Sequence, residues 1–147
     1  MRKFVILKFK INICLSQFNA MFNRIHHIAI ICTDYERSKY FYVNQLGFEV
    51  LAEVYRKERK SYKLDLAVNG IYQLELFSFE NPPARPSRPE AAGLRHLAFE
   101  VDDVQKTAAE LNVKGIVTEP IRIDEFTGRK FTFFTDPDGL PLELYEK

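Results

Sequence analysis

Residues 24–32 read RIHHIAIIC, and residues 94–101 read LRHLAFEV. Sliding the chain along itself by 69 positions lays His27-Ile28-Ala29-Ile30 on His96-Leu97-Ala98-Phe99. Both stretches are apolar and rich in β-branched or aromatic residues, so both are expected strands. The same shift lays Asp34 on Asp103 and Ser38 on Thr107. Short oxygen side chains at such positions start a helix by accepting its free N–H groups. Glu75 falls on position 144, one residue from Glu143, and the His-to-Glu spacings are 48 and 47 residues. A repeat of this length exceeds a solenoid unit. Two copies of one supersecondary unit explain it.

Working outward, Thr33 or Asp34 caps an expected helix from Tyr35 to Leu46, with Tyr35, Phe41, Tyr42 and Leu46 as its apolar positions and Gly47 as its stop. Strand-like runs follow at 48–55, 62–68 and 71–79, and Asn69-Gly70 between the last two is a hairpin turn. The first half thus reads β-α-β-β-β. Residues 80–92, ENPPARPSRPEAA, carry Pro82, Pro83, Pro86 and Pro89 and read as a linker. Arg85 and Arg88 on it could reach an anionic group, although a solvated connector is the simpler reading. Beyond it, Asp102 or Asp103 caps a helix to about Leu111, and runs lie near 115–123, 130–135 and 140–146. Thr127-Gly128 and Asp138-Gly139 mark the turns between them. The fold class is therefore α+β, with module 1 at about 24–79 and module 2 at about 93–147 of one domain spanning 21–147.

The chain has 147 residues, 46% of them hydrophobic, which is enough for one globular core. Its net charge of +1 offers no field for nucleic acid or an acidic membrane. Arg2, Lys3, Lys8 and Lys10 give residues 1–20 a charge of +4 with no acid, leaving −3 on the rest. Lys8 and Lys10 interrupt the apolar stretch of that segment, which is too short to span a bilayer. Alternation from Leu7 to Leu15 fits an added edge strand, and an extension upstream of a start at Met21 is the preferred reading. Cys14 and Cys32 make neither a disulfide framework nor a CxxC pair, so a reducing cytoplasm is the expected compartment.

Each half places a His at the start of its first strand and a Glu in its last. Side chains alternate along a strand, so His27, Ala29 and Ile31 share one face, as do Gln73, Glu75 and Phe77. Likewise His96, Ala98 and Glu100 share a face, as do Pro141, Glu143 and Tyr145. If each half curls into a cup, its His and Glu converge, and two cups together bring four ligands to one point. Two imidazoles and two carboxylates suit one first-row divalent ion and leave room for water. Structural zinc prefers closed, Cys-rich sites. His26, next to His27, is expected to point the other way. Taken singly, Glu75 or Glu143 reads as an ordinary solvent-face residue. The chain has only three His, and two of them at equivalent repeat positions precede a Glu by nearly the same distance, which is what singles out the set.

These residues resemble the vicinal oxygen chelate superfamily, and within it the glyoxalase I-like metalloproteins. HHIAIICTDYERSKYFYVNQLGF resembles that family's opening strand, helix and Gly-Phe turn. LELF, GLRHLAFEVDD and FFTDPDGLPLELYE are similar to its second, third and fourth ligand motifs, over about residues 24–147. The resemblance implies tandem βαβββ modules forming a cupped, mostly antiparallel sheet, as in the glyoxalase/dihydroxybiphenyl dioxygenase fold. It implies His27, Glu75, His96 and Glu143 as ligands of one divalent metal per site (Ni, Co, Zn or Mn). It further implies proton transfer through an enediolate on a small α-oxo or hemithioacetal substrate, as in lactoylglutathione lyase. Glu143 matches the usual base, and Glu75 is its symmetric partner. A homodimer is implied, as many relatives complete their cups across a dimer interface; whether the site is built within one chain or between two stays open.

Two positions depart from glyoxalase I. The family's glutathione-holding Arg and Asn fall on Ile31 and Phe79, which can neither pair with a carboxylate nor donate an amide hydrogen bond. Arg56, Phe77, Arg129 and Lys130 are the candidate substrate-binding residues in their place. The alternatives are a metalloenzyme adding water or a thiol to an epoxide, as fosfomycin-resistance relatives do, and an extradiol-type dioxygenase. A third is a non-catalytic module that sequesters a small molecule.

Overall fold

A computed structural model describes residues 21–147; the strand-like stretch 7–15, Cys14 and the proposed extension lie outside the described residues. β1 (Ile28–Cys32) leads to α1 (Tyr35–Lys39), followed by β2 (Glu49–Arg56), β3 (Ser61–Val68) and β4 (Ile71–Ser78). The second half repeats this as β5 (Leu97–Val101), α2 (Val104–Val113), β6 (Arg122–Ile123), β7 (Lys130–Thr135) and β8 (Pro141–Glu146). The two sheets have matching orders, β1-β4-β3-β2 and β5-β8-β7-β6. In each, the first strand runs parallel to the last and the other neighbours are antiparallel. This is the expected α+β architecture of tandem βαβββ modules.

The duplication extends to single bonds. Asp34 accepts from the N–H of Arg37 at 3.0 Å, and Asp103, 69 residues on, accepts from Lys106 at 2.9 Å. Gln45 and Lys114, also 69 residues apart, bond reciprocally across the module boundary. The Gln45 amide donates to the Lys114 carbonyl at 3.0 Å, and the Lys114 ammonium donates to the Gln45 carbonyl at 2.7 Å. Such reciprocity is what a pseudo-twofold axis between two copies produces. The Asn69-Gly70 hairpin has positive φ at both residues, 51° and 73°, as its turn type requires.

Two elements differ from expectation. The helix expected to Leu46 stays α-helical only to Lys39 and widens into a π-helical turn over Tyr40–Gln45, with Leu46 N–H donating to the Phe41 carbonyl. This wider turn accompanies two successive rings, Phe41 and Tyr42, both entering the core. The run at 115–123 yields only the two-residue β6, because Pro120 has no N–H to give a ladder.

The core is continuous between the modules. Leu64, Leu66, Leu74 and Leu76 from one sheet join Phe134, Leu142 and Leu144 from the other, with Tyr42 and Leu111 from the helical layer. These side chains occupy the helix-covered faces. On the other face of the first sheet Ala29 and Ile31 are exposed, and so is every residue of β2 except Arg56. The faces expected to carry the metal ligands are therefore the open ones.

Candidate metal centre

Register places the two His–Glu pairs identically. Glu75 lies opposite Ala29 and Glu143 opposite Ala98, in each case the alanine two residues after the histidine. Residues directly opposite in a sheet share a face, so each Glu projects beside its own module's His. His27 Nε2 is 3.3 Å from Glu75, and His96 Nε2 is 3.0 Å from Glu143. The one-residue difference in spacing is absorbed elsewhere in the modules. Both carboxylates are buried, at 6% and 9% exposure, while both histidines keep about a third of their side chains exposed. Buried carboxylates require compensating charge or hydrogen bonds, and the two modules supply it differently.

Around Glu75 stands a polar cluster absent from the expectation. Lys63 Nζ lies 2.8 Å from Glu75 and 2.6 Å from Asp65, and the Tyr72 hydroxyl donates to Glu75. Burial pushes the Glu75 carboxyl up, but Lys63, Tyr72 and His27 together hold it below the usual carboxylate range. Hydrogen bonds to Asp65 and Glu75 push the Lys63 ammonium above its usual value, and burial with the Glu75 bond pushes the Tyr72 hydroxyl up to about 12.

A β-bulge brings these groups together. From the hairpin turn the pairing runs Val68↔Ile71 and Ala67↔Tyr72, then skips Gln73 to Leu66↔Leu74 and Asp65↔Glu75. The extra residue turns Tyr72, three positions before Glu75, onto the Glu75 face. Gln73, expected on that face by simple alternation, is instead the bulged residue. His26 also departs from expectation. Because β1 starts at Ile28, strand alternation does not govern positions 26 and 27. The two rings share a hydrogen bond between their Nδ1 atoms at 2.8 Å, and His26 packs edge-on against His27 and Tyr72.

Around Glu143 the surroundings are apolar. Phe133 lies opposite it in β7, and the His96 ring stands edge-on to Phe133 at 5.3 Å. His96 is the sole side chain bonded to Glu143 among the described residues. The His96 Nδ1 is buried without a hydrogen-bond partner. Of the candidate substrate residues, Phe77 is on the Glu75 face, opposite Lys63. Arg56 covers Phe77 and Phe79 with its guanidinium, 4.6 and 5.4 Å from the ring centres, and donates to Ser61 Oγ. Arg122 repeats this over Phe131 and Phe133 at 4.9 and 5.4 Å, a counterpart missed in the sequence. Arg129 is exposed in the turn before β7. Lys130 is on the far face of its strand, where it bonds Gln105 of α2 and approaches Glu146 at 3.6 Å.

Within the one described chain the pairs remain two half-sites, since no group of three or more His, Cys, Asp or Glu side chains among the described residues could hold a metal. The donor set nevertheless fits a divalent ion. Each half offers an imidazole and a buried carboxylate within 3.3 Å, and one imidazole has a buried nitrogen without a protein partner.

Residues 24–144 match the Glyoxalase/Bleomycin resistance protein/Dioxygenase superfamily, and the chain belongs to that superfamily. It is 68% identical over 123 residues to the Bacillus subtilis uncharacterized protein YwkD, covering 84% of this chain and 96% of that one. A crystal structure of a glyoxalase family protein from Enterococcus faecalis is 56% identical, with a TM-score of 0.79 over 85% of this chain and 98% of that chain. The trypanothione-dependent glyoxalase I of Leishmania major is 29% identical, with a TM-score of 0.63 over 84% and 86% of the respective chains. No helix among the described residues is long and apolar enough to cross a membrane.

Proposed function

We propose that the chain is a divalent-metal-dependent lyase or isomerase of the glyoxalase I type, acting on a small α-oxo or hemithioacetal substrate. The observation that carries this reading is the pair of buried carboxylates, Glu75 and Glu143, each beside a histidine at the same register position of its module. Because these pairs stand on the open faces of separate sheets, a second copy of the chain completes the centre. His27 and Glu75 of one copy meet His96 and Glu143 of the other, giving a homodimer with two sites. The exposed apolar residues Ile31, Val50, Leu51, Val54 and Ile71 on or beside the first sheet support such a covered face.

When bound, a metal such as Ni²⁺, Co²⁺, Mn²⁺ or Zn²⁺ stabilises negative charge developing on a substrate oxygen. The chain's residues do the rest. His27, Glu75, His96 and Glu143 would hold the ion. Glu143, walled by Phe133 and Ala98, takes a proton from the carbon beside the substrate carbonyl and returns one to the neighbouring carbon. Glu75 is the weaker base, since Lys63 and Tyr72 already donate into it. The exposed Ile31 and the Arg56-covered Phe79 lack the groups that hold glutathione, so the thiol carrier need not be glutathione.

The test is turnover of methylglyoxal hemithioacetals made with glutathione and with other small thiols, after loading with each metal in turn. Turnover with at least one thiol is expected, together with a metal-dependent rise in melting temperature that a chelator reverses. Metal binding without turnover of any hemithioacetal would reject this chemistry in favour of epoxide opening. Absence of metal binding would reject all the metalloenzyme readings.

A further inference from the structure

The 80–92 linker is not a simple solvated connector. Arg85 donates through Nη2 to the carbonyls of Leu94 and Arg95, and through Nε to Ser87 Oγ at 3.1 Å. Ser87 in turn donates to the Gly139 carbonyl at 3.0 Å, in the turn before β8. These bonds lay the linker along one side of a cleft of about 350 Å³ on the second sheet. Its floor includes His96 and Phe133, so it opens directly beside the second half-site.

Four guanidinium groups line this cleft, from Arg85, Arg88, Arg95 and Arg122, against two carboxylates, Glu90 and Glu119. The acids leave much of that charge unspent. Glu119 pairs with Arg122 at 3.0 Å, whereas Glu90 lies 3.9 Å from Arg95. Arg85 is occupied by backbone carbonyls, and Arg88 has no ion pair or hydrogen bond among the described residues. A concave site lined by excess positive charge concentrates anions, even in a chain whose net charge is only +1. Guanidinium forks match carboxylate and phosphoryl oxygens in pairs. The volume suits a small metabolite and is too small for a polymer.

We propose that this cleft holds the oxyanion end, carboxylate or phosphoryl, of a small substrate, gripped by Arg88 and Arg95, so that its other end lies at His96. The assignment of that other end rests on the metal-centre reading, but the anion grip does not. Neither arginine belongs to the metal ligands, and Arg88 stands exposed on the linker.

Calorimetric titration of the full chain with inorganic phosphate, and separately with succinate, tests the grip in metal-loaded and chelator-treated protein. Saturable binding of at least one anion is expected in both states, weakening as salt is raised. The preferred anion identifies the substrate group. The Arg88→Ala/Arg95→Ala double variant is expected to bind about ten-fold more weakly or worse. Arg88→Gln alone, which breaks no internal bond, is expected to bind several-fold more weakly, and Arg59→Ala, on the exposed turn after β2, to bind unchanged. Arginine-dependent binding by a protein that takes up no metal would sustain the cleft and remove the metal centre. Metal uptake by a protein that binds neither anion, or whose double variant binds both as well as wild type, would overturn the cleft and leave the metal centre standing.

Discussion

Replacing Glu143 with glutamine is expected to lower kcat of the metal-loaded protein by about 10²–10⁴-fold, the usual worth of a positioned general base. The substitution keeps the shape of the side chain and one oxygen but removes its capacity to take a proton. Glu143 is the candidate because its described surroundings are His96 and the Phe133 ring, with no lysine or tyrosine hydroxyl bonded to it. Glu75→Gln is expected to act differently. It leaves Lys63 without one of its two carboxylate partners and Tyr72 with a neutral amide oxygen in place of a carboxylate, so metal affinity and stability suffer alongside turnover. Measuring metal content and kcat on the same samples separates the two effects. Equal kcat for wild type and fully metallated Glu143→Gln would reject Glu143 as the base.

The largest expected effect on stability lies away from the metal centre, at Asp136. This buried carboxylate accepts from the Tyr42 hydroxyl at 2.9 Å and from the N–H groups of Asp138 and Leu140 at 2.9 and 2.8 Å. It thus ties the π-helical turn of the first module to the turn before β8 in the second. Asp136→Ala strands up to three donors, each costing about 1–3 kcal/mol when left unsatisfied. An overall loss of about 3 kcal/mol, or roughly 10 °C in melting temperature, is expected.

The same residue gives a pH signature. Burial, with the charge of Asp138 adding to it, raises the Asp136 carboxyl above its ordinary value despite the three hydrogen bonds. Burial likewise keeps the Tyr42 hydroxyl protonated far above its usual range. An acid with a raised folded-state pKa contributes fully below its unfolded value of about 3.9 and loses that contribution as pH rises through the folded value. Asp136→Asn carries no charge at any pH. Wild type's advantage over it in urea unfolding should therefore shrink as pH rises above about 4. An advantage that grows over that range would contradict the burial argument.

The sequence made the duplication legible because its signals are periodic and local. The 69-residue offset is periodic, the two capping aspartates and the Asn-Gly hairpin act within a few residues, and all three survive into the fold unchanged. The pairing of His27 with Glu75 and of His96 with Glu143 was readable because the duplication carries it: each His stands one residue before its module's first strand and 48 or 47 residues before a Glu in its last. What escaped notice depends on register. A single bulged residue, Gln73, turns Tyr72 onto the Glu75 face and aligns Lys63 and Asp65 with it, and nothing in the local pattern announces a one-residue slip. His26 was misplaced because strand alternation was extended two residues beyond where β1 starts. Arg122 was hidden in a run whose ladder Pro120 interrupts. Arg95 and the linker arginines gain meaning only once Ser87 and Arg85 fasten the linker to the second sheet.

If two half-sites, one from each of two copies, make one metal centre, the metal content of mixed variants shows it most directly. His27→Ala and His96→Ala proteins are each expected to hold almost no metal, because every site in either dimer lacks one imidazole. When the two are mixed and allowed to exchange, each mixed dimer regains one intact site, built from the unaltered module of each chain. Random exchange should then restore metal to about one site in four relative to wild type. No recovery on mixing, despite exchange of subunits, would contradict assembly across two chains, as would full metal content in either variant alone.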